Sequence, residues 1–125
     1  MDKRISITEI RLPDWERVRS GEVGQELLVY FAVDGKKYKC KYIQEHYFYR
    51  GLPGVWRDHC FFFRIEDGEE RAIANCSGEF RIPHKPGRIE AYVPNTYDGD
   101  DPRYLEADES IVREYLVEPF VNRYF

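Results

Sequence analysis

Cys40, Cys60 and Cys76, with His46, His59 and His84, are the side chains of this sequence best suited to hold a metal or to act as nucleophile and base. Zinc takes imidazole nitrogen and thiolate sulfur in tetrahedral sites, and a thiolate beside an imidazole is a common nucleophilic pair. The spacing speaks against both. No C-x-x-C or H-x-x-x-H pair is present, and His59 and Cys60, as neighbours on a strand-like run, point to opposite faces of a sheet. Nothing in the sequence selects one Cys–His pair. An odd number of cysteines cannot close a disulfide framework, so the three read as buried free thiols in a reducing compartment.

The 23 Asp and Glu residues are too many for any pair to stand out as acid and base. Asp98, Asp100 and Asp101, with Glu106 nearby, gather oxygen atoms of the kind calcium or magnesium prefers, but without the alternating ligand spacing of an EF-hand loop. That stretch reads as a solvated turn whose last aspartate caps a helix. The sequence contains no phosphate-binding glycine loop, no nucleophile elbow and no zinc-binding H-E-x-x-H. No catalytic residue, no metal ligand and no cofactor is therefore assigned.

One constellation remains. Tyr30, Lys37, Lys39 and Lys41 fall on one face if residues 27–42 form a hairpin about Asp34-Gly35. Cations interleaved with an aromatic ring attract acidic protein surfaces and, on some sheets, hold single-stranded nucleic acid; they also keep a sheet soluble. The net charge of −4 argues against a nucleic-acid binder, so these four residues are the candidate binding site for a protein partner, in particular an acidic one.

The elements that must carry these residues follow from pattern and turn chemistry. Residues 3–12 read as a first strand, with Ile5, Ile7 and Glu9 on one side and Ser6, Thr8 and Ile10 on the other. A type I′ turn at Asp34-Gly35 pairs Val33 with Lys36, Phe31 with Tyr38, Val29 with Cys40 and Leu27 with Tyr42, which makes one face apolar and leaves the lysines on the other. A second hairpin turns at Asp67-Gly68-Glu69. A two-residue turn there would set Arg64 against Arg71, so a three-residue loop with a bulge is expected, placing Arg64 opposite Ala72, Phe62 opposite Ala74 and Cys60 opposite Cys76.

Residues 79–82 and 88–93 read as further short strands bounded by Pro83, Pro86 and Pro94. Asp101-Pro102 is suited to start a helix within 102–118, with Leu105, Ile111, Val112, Tyr115 and Leu116 along one stripe and Pro119 as its stop. The aromatic tail, 120–125, is expected to dock on the body.

At 125 residues the chain has the size of one domain, and its 16% aromatic content suits pleated, half-buried surfaces. The expected architecture is mainly β: a single domain, 1–125, built as an antiparallel β-sandwich or strongly curved sheet of six to eight strands with one C-terminal α-helix. An α+β open sheet with the helix covering one face is the alternative. The N-terminus lacks a signal-peptide pattern and no segment reads as a membrane span, so a cytoplasmic protein without membrane contact is expected. The functional expectation is a small non-catalytic module for protein–protein interaction. The alternatives are a small enzyme or ligand-binding protein with an aromatic-lined pocket between sheet and helix, and nucleic-acid binding through the lysine and tyrosine face.

Overall fold

The structure is a computed structural model that describes residues 4–14, 16–17, 25–47, 55–83 and 107–125, with backbone alone at 45–47 and 55–57. The fold is mainly β: the described residues form a five-stranded antiparallel sheet and a C-terminal helix. The strands are β1 (Ile5–Arg11), β2 (Gln25–Val33), β3 (Lys36–Tyr47), β4 (Val55–Glu66) and β5 (Glu69–Asn75). Each pairs with its neighbours in sequence, giving the order β1-β2-β3-β4-β5. Of the two extra strands expected from the sequence, residues 79–82 form turn and irregular backbone, while 88–93 lie outside the described residues.

The β2–β3 hairpin has the register that its turn demands. Asp34 and Gly35 take φ of 50° and 84°, and Phe31 faces Tyr38, Val29 faces Cys40 and Leu27 faces Tyr42. All six of these side chains are buried, and the lysines stand on the opposite face. Arg4 locks β1 to this turn: its carbonyl accepts from Asp34 N–H at 2.9 Å and its own N–H donates to Asp34 Oδ1 at 3.1 Å.

Strand β1 departs from strict alternation. Thr8 is an extra residue between the Ile7–Phe31 and Glu9–Tyr30 pairs, and its hydroxyl donates to the Tyr30 carbonyl. This bulge turns Ile10, rather than Glu9, toward the core beside Ile5 and Ile7.

The β4–β5 hairpin corrects the sequence reading in a similar way. Asp67 and Gly68 have φ of 53° and 77°, so the turn is a tight two-residue type I′, and Arg64 does sit opposite Arg71. Arg64 tolerates that position because its guanidinium lies over the Tyr38 ring, 5.8 Å from the centroid, and 4.0 Å from Glu66 Oε1. The bulge comes later, at Ile73, so that Ile73 and Ala74 together oppose Phe62. Beyond it the expected pairing is recovered: Phe62 faces Ala74, and Cys76 N–H donates to the Cys60 carbonyl at 2.8 Å.

The described helix begins at Glu109; the start expected at Asp101-Pro102 lies outside the described residues. Ala107 and Asp108 are non-helical, and the helix runs as an α-turn (Glu109–Val112), a π-helical turn (Arg113–Val117) and a second α-segment (Glu118–Tyr124). Asp108 is the cap: its Oδ1 accepts from Ile111 N–H at 2.9 Å and from the Ser110 hydroxyl at 2.7 Å, and these bonds hold its carboxyl below the usual range. Pro119 does not end the helix. In α geometry its ring would meet the carbonyl of Tyr115, and the wider π-turn just before it, in which Glu118 N–H reaches back to Arg113 O, relieves that conflict.

The helix buries Val112, Leu116, Val117, Phe120 and Val121 on the apolar face of the sheet. Phe120 stacks on Phe62 with centroids 4.0 Å apart and an interplanar angle of 7°, and meets Phe31 and Tyr38 edge-on at 6.0 Å. No helix among the described residues is long and apolar enough to cross a membrane.

Phe31 is the residue on which turn register and helix packing converge, since it touches Tyr38, Phe62 and Phe120. Phe31→Ala is expected to cost about 3–5 kcal/mol in a urea melt, whereas Lys37→Ala should change stability by less than about 0.5 kcal/mol. A wild-type midpoint for Phe31→Ala would contradict this packing.

Candidate functional site

Among the described residues, side chains capable of chemistry or recognition gather in a polar network and a group of thiols in the core, on the outer face of the sheet, and in a groove beside the end of the helix.

The network is built on Tyr42, Gln44 and Asp58, all buried at the end of the sheet away from the Asp34-Gly35 turn. The Tyr42 hydroxyl donates to Asp58 Oδ1 at 2.8 Å and accepts from Ile82 N–H at 2.9 Å and Gln44 Nε2 at 3.2 Å. Gln44 Nε2 also donates to the Ile82 carbonyl at 3.2 Å, and Arg81 lies 3.9 Å from the other Asp58 oxygen. Burial, and then the Asp58 charge, push the Tyr42 phenol well above its ordinary value, so it stays a neutral donor. Its donor and lone pairs are all used in pinning residues 80–82 to the sheet, which is a structural role.

The cysteines also lie in the core. Cys40 and Cys60 are buried with their sulfurs 3.8 Å apart, and Cys76 Sγ is 3.8 Å from the Tyr124 hydroxyl. All three are free thiols, and burial raises Cys40 and Cys76, which makes them poor nucleophiles. His59 is half-buried on the other face of the sheet; the His46 side chain and His84 lie outside the described set. Among the described residues no three His, Cys, Asp or Glu side chains are grouped to hold a metal ion.

The outer face carries Tyr30, Lys37, Lys39 and Lys41, as their alternation requires. The strand register adds hydrophobic neighbours: Lys39 lies between Tyr30 and Phe63, Lys41 between Leu28 and Phe61, and Lys37 between Ala32 and Ile65. The three lysines are not equivalent. Lys39 Nζ bonds both oxygens of Glu70, at 3.0 and 3.2 Å, sits 5.7 and 5.6 Å from the Tyr30 and Phe63 ring centroids, and is only 14% exposed. Arg11 lies over Tyr30 as well, at 5.1 Å. The central charge of the face is thus spent within the molecule, and two of its rings, Tyr30 and Phe63, are engaged by cations. Lys37 is exposed and Lys41 half-buried, and neither has a carboxylate partner among the described residues.

The groove was not visible in the sequence as a site. It is an open cleft of roughly 280 Å³ where the end of the helix passes the β4–β5 hairpin. Phe120 and Tyr38 form its floor, Ile73, Tyr124 and Phe125 its apolar wall, and Arg64, Arg71 and Glu66 its polar rim. Ile73, Tyr124 and Phe125 are 43%, 49% and 44% exposed, so this one cleft holds three of the four exposed large hydrophobic residues among those described. The bulge puts Ile73 there, and the type I′ turn puts the two arginines side by side. Another hollow, of roughly 490 Å³, lies at the β1–β2 edge between Arg11, Asp14, Arg17 and Glu26, where charges of both signs alternate.

Only the docking of the aromatic tail on the body hinted at the groove, because its lining comes from three strands and the helix end. Comparison with known protein families, with curated proteins and with solved structures finds no match to this chain.

Tyr42→Phe removes a hydroxyl that serves three buried partners, so it is expected to cost about 1–3 kcal/mol in a urea melt. Unchanged stability would mean that the network does not hold residues 80–82 in place.

Proposed function

We propose that the protein is a non-catalytic binding module that receives a segment of a partner protein in the groove between the helix end and the β4–β5 hairpin. The observation that carries this reading is the clustering of Ile73, Tyr124 and Phe125, exposed together on a rigid aromatic floor. A contiguous exposed apolar patch with a polar rim is the usual mark of an interaction surface. An apolar floor and a rim of charge also fit the hot-spot pattern, in which a few aromatic and arginine side chains dominate binding.

Catalysis has less to support it. The buried titratable side chains Tyr42 and Asp58 are bonded to each other rather than aimed into the groove, and the thiols are buried, with Cys40 and Cys76 raised by that burial. The outer face is a weaker candidate than its sequence suggests, because Glu70 neutralises Lys39. Nucleic-acid stacking there has little support, since Tyr30 and Phe63 are already covered by Lys39.

The test is selection of binders from a random peptide library displayed on phage. Enriched peptides should lose at least about tenfold in affinity on the double substitution Ile73→Ser, Phe125→Ser, while circular dichroism shows the fold retained. Peptides unaffected by that pair but lost on Lys37→Glu, Lys41→Glu would move the site to the outer face, and a library with no enrichment would remove the reading.

A further inference from the structure

The rim of the groove is electrostatically incomplete. Arg64 and Arg71 face each other directly across β4 and β5, an arrangement that costs free energy on a sheet unless something negative lies between them. Glu66 serves this poorly, at 4.0 Å from Arg64. Among the described residues no carboxylate pairs with Arg71, and Arg64 Nε is buried with no hydrogen-bond acceptor. A buried donor without an acceptor is uncommon, because its desolvation is uncompensated. The guanidinium lies over Tyr38, and the side chain is 32% exposed to the cleft.

The two adjacent guanidinium charges, one with only a distant carboxylate and one with none among the described residues, point to a ligand. Two adjacent guanidiniums present forks of N–H donors, which match the two oxygens of a carboxylate. The apolar wall of Ile73, Tyr124 and Phe125 lies in the same cleft. A ligand that satisfies both parts carries an apolar side chain and a carboxylate a short distance apart.

The openness of the cleft decides what kind of molecule this is. Small-molecule sites bury most of their ligand, whereas this groove leaves its wall residues nearly half exposed, so it suits one side of an extended chain. Strand addition along β5 is disfavoured, since the bulge at Ile73 interrupts the ladder. Recognition would therefore pass through side chains.

We infer that the groove recognises an acidic segment of a partner protein in which an apolar residue is flanked by aspartate or glutamate. The apolar side chain lies against Ile73, Tyr124 and Phe125, and the carboxylate bridges Arg64 and Arg71. This inference rests on the binding role proposed above and adds the chemistry of the partner.

The test uses isothermal titration with four capped heptapeptides in a Gly–Ser frame. The first carries leucine between two aspartates; the others replace the aspartates by asparagine, the aspartates by lysine, or the leucine by glycine. The aspartate–leucine peptide should bind, weaken with added salt, and exceed each of the other three by about tenfold. Arg71 is exposed and has no partner among the described residues, so Arg71→Glu should fold normally and shift the preference to the lysine peptide. Equal binding of the aspartate and asparagine peptides, both still dependent on Ile73 and Phe125, would overturn the inference and leave the groove reading intact. Failure of the aspartate–leucine peptide to bind would overturn the inference whatever the library returns. Equally tight binding of a single-stranded oligothymidylate at the arginines would overturn it as well, by showing that the rim reads phosphate.

Discussion

The stack of Phe120 on Phe62 is the contact on which the rest of the molecule depends. The two rings lie nearly parallel at 4.0 Å, and Phe31 and Tyr38 close on Phe120 edge-on. Such pairs add about 0.5–1.5 kcal/mol each beyond the burial of their area. The stack also fixes where the helix ends. Phe120 anchors the last turn, so Tyr124 and Phe125 project beyond the core and become the wall of the groove. Arg123 fastens the same turn from the other side, lying over Phe80 at 4.7 Å and pairing with Glu79. All of this requires the chain to remain helical through Pro119, which the π-turn at Arg113–Val117 permits.

The sequence discloses structure where two independent signals agree. At the β2–β3 hairpin, Asp34-Gly35 and the alternation from Leu27 to Tyr42 lead to one register, and every pair is as the turn requires. At the β4–β5 hairpin the signals conflict. Asp67-Gly68 asks for a tight turn, while like charges at Arg64 and Arg71 ask for a bulge beside it. The turn prevails because Tyr38 supports Arg64 from the neighbouring strand, a contact that no local reading of β4 and β5 can supply. The same holds at Thr8, where the ladder slips by one residue to bring Ile10 rather than Glu9 inward.

The helix was legible as an apolar stripe but not in its limits. Val112 and Leu116 are buried as the stripe implies, yet the start rests on Asp108 and the end runs past a proline. The described start has a cap on Ile111 and Ser110, and the passage through Pro119 has a π-turn, neither of which periodicity reports. The groove was the least legible part. Its residues are scattered from Tyr38 to Phe125, and its bulge, its tight turn and its helix end are the very features where simple pattern reading fails.

The outer face and the groove differ in electrostatic balance. On the outer face Lys39, Tyr30, Phe63 and Glu70 satisfy one another. In the groove two arginines stand together beside exposed apolar side chains, with a buried Nε lacking an acceptor. Isotope-filtered nuclear Overhauser spectroscopy of the protein with the aspartate–leucine peptide tests recognition in the groove. Contacts are expected from the leucine methyls to the Ile73 methyls and to the rings of Tyr124 and Phe125. Contacts to Tyr30 and Phe63 on the outer face, with none to the groove, would contradict it.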